Sequence, residues 1–394
     1  MTSDRTESMP FHIDTAEVAR VCSELIRFDT VNPPGNEQIA AEYVADYMAP
    51  LGFTVQFLPQ GENRVTVVAR HKGAGGVPGL VFNAHLDVVP VGGQEWLHPP
   101  FAGEIADGKV WGRGSGDMKG GLAAMMGAAR AVVESGVELR GDLIIAGTVG
   151  EEVNMIGAKL LCAEGTLGDV QAIIISEPTS NGVGLAERGV FWPEITTYGK
   201  TAHGSTPHLG VNAITMMAPL LQELEQLDIP FTTHPVLGPF TRSINTIQGG
   251  VKVNVVPDRC SVNIDMRTVP GQDHAQIRRQ LEEFLAERGR RVPGFHGEVT
   301  TIHFDLPSVE TKGDDPAVVR FVAAAARGMG REPKLIVMPF ATEAAIFLPA
   351  LGVPTIIFGP GDPALAHQPN EFVEIAAMVD AGRAYAEAAV AFLA

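Results

Sequence analysis

A chain of 394 residues exceeds the size at which one hydrophobic core keeps growing, so two domains are expected. Its 29 basic and 46 acidic side chains leave a formal net charge of −17 with no Lys/Arg cluster, which argues against nucleic acid or an anionic membrane as partner. Cys22, Cys162 and Cys260 are widely spaced and outside any C-x-x-C pattern, as packing residues of a reducing compartment are. The first residues, 1–7, lack the basic and apolar regions of a leader, and no run of about 18 apolar residues follows, so a cytoplasmic protein is expected.

In chain order, helical and strand-like runs alternate from Thr15 to about Leu185, the pattern of a mostly parallel α/β sheet with crossover helices. Apolar residues at helical spacing predict a helix over 37–51, ending at Gly52, and an Ala- and Met-rich helix over 118–133, ending near Gly136. Short continuous apolar runs predict buried parallel strands at 80–84, 143–146, 172–175 and 355–358. Near Arg188 the pattern changes to a strand (191–198), a helix (212–227), two strands (243–248 and 259–267), a helix (274–288) and a strand (298–304). That βαββαβ order predicts a ferredoxin-like α+β unit inserted into the larger domain. The sheet pattern resumes after Pro316 with a helix to about Gly328 and the strand at 355–358, and an Ala-rich helix from Val373 ends the chain. The expected division is 1–187 with 306–394 for one domain and 188–305 for the insertion.

Each predicted parallel strand leads to residues able to hold a divalent metal: His85 and Asp87, then Glu151 and Glu152, Glu177, and His367. In open α/β sheets, sites form beyond the carboxyl ends of the strands. The spacing of His85-Leu86-Asp87 puts two side chains on one face of a strand, so Asp87 is expected to accept the far ring N–H of a metal-binding His85 and fix its tautomer. Asp117 lies in a Gly-rich turn, 114–121, ahead of the Ala/Met helix, where an N-cap is the plainer reading. The adjacent carboxylates of Glu151-Glu152 point in different directions, so one can bind metal while the other stays free as a base. Taken singly, each of these is an ordinary surface or loop residue; together, they are hard to assign to coincidence. His85, Asp117, Glu152, Glu177 and His367 offer two imidazoles, three carboxylates and no thiolate, a set suited to zinc, cobalt or manganese. Two divalent cations, three carboxylates and one hydroxide sum to neutrality. Two metal ions are therefore expected, zinc first, with that hydroxide as nucleophile and Glu151 as general base.

These segments, with Ser176-Glu177-Pro178-Thr179 and residues 199–204 and 359–367, resemble in order the successive signatures of the M20 metallopeptidase family, above all its acetylornithine deacetylase and succinyl-diaminopimelate desuccinylase branch. The resemblance implies a zinc-peptidase-like catalytic domain in which Asp117 bridges two zinc ions. His85 and Glu177 would complete one site, Glu152 and His367 the other, and the Asp117–Met118 peptide would be cis. The insertion would be a lid and dimerisation domain of a homodimer, with His203 stabilising the oxyanion in the neighbouring subunit's site and Asn254 and Arg267 holding a substrate carboxylate. A guanidinium can bind a carboxylate through two parallel hydrogen bonds, which favours that role for Arg267 over a surface ion pair. Thr342-Glu343 falls where the deacetylase branch carries a similar pair, and a Glu lining the pocket could receive a cationic side chain. Residues 187–192 and 204–208 look more like the broad set of unassigned deacylases in this branch, so the substrate's identity stays open. The resulting expectation is a dizinc hydrolase that cleaves the amide of a small N-acyl amino acid. A dipeptidase or carboxypeptidase of the same family is the rival, and a non-catalytic metal-binding protein a more distant one.

Overall fold

The structure, a computed structural model, describes residues 11–394. Its main sheet runs Thr54–Pro59, Val65–His71, Leu143–Thr148, Gly79–His85, Val170–Ile175, Thr355–Ile357, Val183–Glu187 and Val309–Glu310, with Leu335–Met338 paired beside Val183–Glu187. The four central strands, from Leu143–Thr148 to Thr355–Ile357, are mutually parallel, and the flanking pairs are antiparallel. This is the α/β class that the alternating runs predict. The central strands are buried almost throughout, because helices cover both faces and leave no place for an alternating polar residue. Thr15–Arg27, Gly120–Glu134, Pro316–Met329 and Ile375–Leu393 pack on one another, while Ile156–Glu164 packs on Ala344–Leu351.

Parallel register aligns the strand ends. His85 stands opposite Thr148, and Asn83 opposite Ile175. The loops that carry Glu151-Glu152 and Glu177 therefore leave the sheet level with His85. One predicted element differs: Val373 and Glu374, expected to open the last helix, belong to the strand Phe372–Glu374, paired with Lys109–Trp111 in a separate three-stranded sheet. Phe372 packs on Trp111 there, with the Lys109 ammonium over its ring, and the helix begins only at Ile375.

The chain divides into two compact units, one reaching Leu185 and resuming at 311–337 and 342–394, the other holding 186–310 with 338–341. The second unit has the order βαββαβ. Its antiparallel sheet runs Thr241–Gly249, Arg259–Thr268, Gly189–Tyr198, His296–Leu306. Helices Ala213–Gln226 and His274–Arg291 bury their apolar stripes on it through Met217, Leu220, Leu224, Ile277, Leu281 and Leu285. Asn212 and Asp273 cap the two helices by accepting their first free N–H groups. Among the described residues, no helix is long and apolar enough to cross a membrane.

Candidate metal centre

Asp117 is the hub of the site. It lies in the distorted turn Ser115–Lys119, and its side chain does not cap the helix that follows. Gly114, at φ +82°, supplies a left-handed bend that favours glycine. The Asp117–Met118 peptide is cis. One Asp117 oxygen, Oδ1, is 3.1 Å from His85 Nε2, and the other, Oδ2, is 3.3 Å from His367 Nε2. Glu177 Oε1 is 3.9 Å from His85 Nε2, and Glu152 Oε2 is 3.2 Å from His367 Nε2. Ligand atoms of His85, Asp117 and Glu152 lie within 4.8 Å of one another, as do those of His85, Glu151 and Glu177. His85, Asp117 and Glu177 are buried, whereas His367 is exposed and reaches in from the rim with φ +64°.

Asp87 does something other than the spacing suggests. Its carboxylate is 3.7 Å from the His85 ring, too far for a hydrogen bond; the ring's Nδ1–H instead donates to the Asp87 backbone carbonyl at 2.9 Å. That bond leaves Nε2 to face Asp117. The strand ends at His85, so the alternation that would have put both side chains on one face no longer holds two residues later. The Asp87 carboxylate accepts N–H bonds from Gly150 and Glu151 at 3.1 Å each and from Glu152 at 3.2 Å, with Asn32 Nδ2 at 2.8 Å. It fixes the turn that presents both glutamates.

Glu343 also departs from expectation. Rather than lining an open pocket it is fully buried, accepting from Asn83 Nδ2 at 2.5 Å and Thr148 Oγ1 at 2.8 Å. Burial pushes its carboxyl up to about 7 against the pull of those two donors.

Burial, then the charge of Glu177, pushes Glu151 well above the ordinary carboxyl range, and burial, then Asp117, does the same to Glu177. Hydrogen bonds to Asp117 and Glu152 raise His367 to about 10. Burial works against protonation of His85, but the Asp117 hydrogen bond and the charges of Glu177 and Glu151 outweigh it and raise the ring well above its usual value. Such a group of acids crowded in a low-dielectric site needs positive charge. Glu152 Oε1 is buried without a hydrogen-bond partner, and the donors are imidazole and carboxylate with no thiolate. The residues fit a divalent metal. Glu151 makes no side-chain hydrogen bond or ion pair with the described residues and remains partly exposed.

The expected substrate residues lie in the second unit. His203 and Asn254 are exposed on adjoining segments, joined by Gly204 N–H to the Asn254 carbonyl at 2.8 Å and Val256 N–H to the Ala202 carbonyl at 2.9 Å. The His203 ring pairs with Ser205, Nδ1 to Oγ at 2.7 Å. Arg267 binds Asp265 on its own strand at 2.9 and 3.3 Å. Sequence reasoning missed Asn32, Asn83, Arg113, Thr148 and Glu371; the only signal was an acidic residue four positions after His367 and an arginine between two glycines.

Residues 81–391 match Peptidase family M20/M25/M40. A protein named probable succinyl-diaminopimelate desuccinylase from Staphylococcus epidermidis is 30% identical over 386 residues, covering 90% of this chain and 92% of its own. A protein named N-formyl-4-amino-5-aminomethyl-2-methylpyrimidine deformylase from Halalkalibacterium halodurans is 30% identical over 405 residues, covering 95% and 94%. The fold is similar to that of aminopeptidase PepT from Bacillus cereus, with a TM-score of 0.77 at 22% identity over 96% of this chain and 99% of that one. It is also similar to the M20 family metallo-carboxypeptidase Sso-CP2 from Sulfolobus solfataricus, with a TM-score of 0.76 at 20% identity over 95% and 99%.

Proposed function

The chain belongs to peptidase family M20/M25/M40 and is an amidohydrolase of that metal-dependent family; on that premise we propose that it removes the acyl group from a small N-acyl amino acid, using two divalent ions, zinc foremost. The observation that carries this reading is that the two oxygens of one buried aspartate, Asp117, each face an imidazole, His85 or His367, and that each imidazole also faces a glutamate, Glu177 or Glu152. His85 and Glu177 would hold one ion and Glu152 and His367 the other, with Asp117 shared. Metal bound there would polarise the scissile carbonyl and lower the pKa of water toward neutrality.

The chain's own groups do the rest. Glu151 takes a proton from the attacking water and returns it to the leaving nitrogen. Burial, then Glu177, hold its carboxyl high against the charge of His85, and divalent ions held beside it would lower it toward the range of a base. Asp87 holds the backbone of Glu151 and Glu152 and, through its carbonyl, the ring of His85. In the second unit, acting as lid and homodimer surface, Arg267 and Asn254 hold the substrate carboxylate and His203 donates to the oxyanion in the neighbouring subunit. Relatives named for desuccinylation and deformylation support an acyl group as the part removed.

The test is Glu151→Ala with a panel of N-acetyl and N-succinyl amino acids beside simple dipeptides. Metal content should stay near wild type while turnover falls by ~10²- to 10⁴-fold. Normal turnover refutes the base, and preference for dipeptides replaces deacylation with peptidase action.

A further inference from the structure

Two buried side chains outside the ligand set tie together the loops that present Asp117 and His367. Glu371 Oε1 accepts backbone N–H bonds from Gly116 at 2.8 Å and Asp117 at 3.1 Å. Its Oε2 accepts from Gly114 N–H at 3.1 Å and from Arg113 Nη1 at 2.5 Å. Arg113 also donates to the carbonyls of Gln368, from Nη1 at 3.2 Å, and His367, from Nη2 at 3.3 Å. The two side chains are 2% and 0% exposed. The loops also touch directly, since a Cβ on Gly361 would stand 2.2 Å from the Gly116 carbonyl oxygen.

An ion pair buried this deeply is weak evidence of stabilisation, because apolar residues of like volume often do as well. A carboxylate is required for another reason: it alone offers acceptors to three backbone N–H groups of one turn and to a guanidinium at once. The fork in turn reaches the carbonyl of His367 itself. We infer that Arg113 and Glu371 are positioning residues that hold Asp117 and His367 at the separation a metal requires, and so set metal affinity without touching the metal. This rests on the reading of the cluster as a metal centre.

The experiment measures zinc affinity by chelator competition and the visible absorption of the cobalt-loaded protein for wild type, Glu371→Gln and Arg113→Lys. Asp142→Asn serves as control, because it removes the ion pairs with Arg70 and Lys72 in the same unit. Glu371→Gln should bind zinc ~10- to 100-fold more weakly, the usual cost of losing a group that orients a ligand, with an altered cobalt band. Arg113→Lys, which keeps the charge but loses the fork, should weaken binding in the same direction; it carries the test if Glu371→Gln does not fold. Asp142→Asn should melt earlier yet bind zinc like wild type. Wild-type affinity and cobalt band in Glu371→Gln overturn the inference, as does the same result in Arg113→Lys. A loss of affinity in Asp142→Asn proportional to its loss of stability overturns it too. Wild-type protein that binds no zinc fails the metal-centre reading instead.

Discussion

The ends of the central strands and the exposed segments of the second unit carry the same kinds of side chain in opposite settings. Around Asp117, His85 and His367 each lie 3.1 to 3.9 Å from two of the carboxylates, and Asp87 and Glu371 hold the backbone behind them. His203 and Asn254 are exposed, and Arg267 is satisfied by an aspartate two residues away. Desolvated charges persist only where the scaffold over-determines their geometry, while solvated ones exchange partners at little cost. On the proposed function, the difference amounts to a division of labour: metal affinity and bond-breaking in the first region, recognition in the second.

The harshest test of that division is Asp117→Ala. Bound metal, counted by plasma emission after gel filtration, should fall to background together with turnover; metal retained at full stoichiometry would break the comparison. Asp87→Ala should come next, lowering kcat by ~10- to 100-fold with little change in KM, because it frees the turn behind Glu151 rather than a substrate contact. Steady-state kinetics showing a pure KM effect would move Asp87 into recognition. Arg267→Ala should do the reverse, raising KM by ~10- to 100-fold, the ~1.5–3 kcal/mol of a charge-assisted hydrogen bond, with kcat and metal content unchanged.

The smallest effect concerns Glu343. Its folded-state value of about 7 stands above the ordinary 4.5, chiefly through burial. The folded protein keeps a proton that the unfolded chain gives up near pH 4.5, so this contribution to stability is whole below that pH and is lost as pH rises through about 7. Glu343→Gln, which cannot ionise, should melt like wild type at pH 4.5 and above it at pH 8. A melting difference that does not widen with pH removes Glu343 from the titrating set.

Much of the fold was legible because continuous apolar runs such as Ile173-Ile174-Ile175 leave few alternatives to a strand covered on both faces. The five candidate ligands were legible for a related reason, since each follows such a strand or opens a helix. Phe372–Glu374 was not, because its strand state depends on Lys109–Trp111, more than two hundred positions away. Asp87 and Glu343 were legible as chemistry but not as geometry. Whether Asp87 faces the imidazole or the backbone of Glu151 turns on where the strand stops, and whether Glu343 meets solvent turns on what packs over it.

The sequence by itself determined the inventory: an α/β sheet whose strands run out into two imidazoles and three carboxylates, and a second unit of βαββαβ order. Those features follow from local periodicity and from the short list of side chains that bind divalent cations. Only the tertiary structure decided which oxygen faces which ring, that Asp87 holds a turn, that Glu343 is sealed in, and that Arg113 and Glu371 join two loops. Hydrogen bonds reach about 3 Å, and no pattern in a linear chain specifies which atoms, separated by hundreds of residues, will come within that distance.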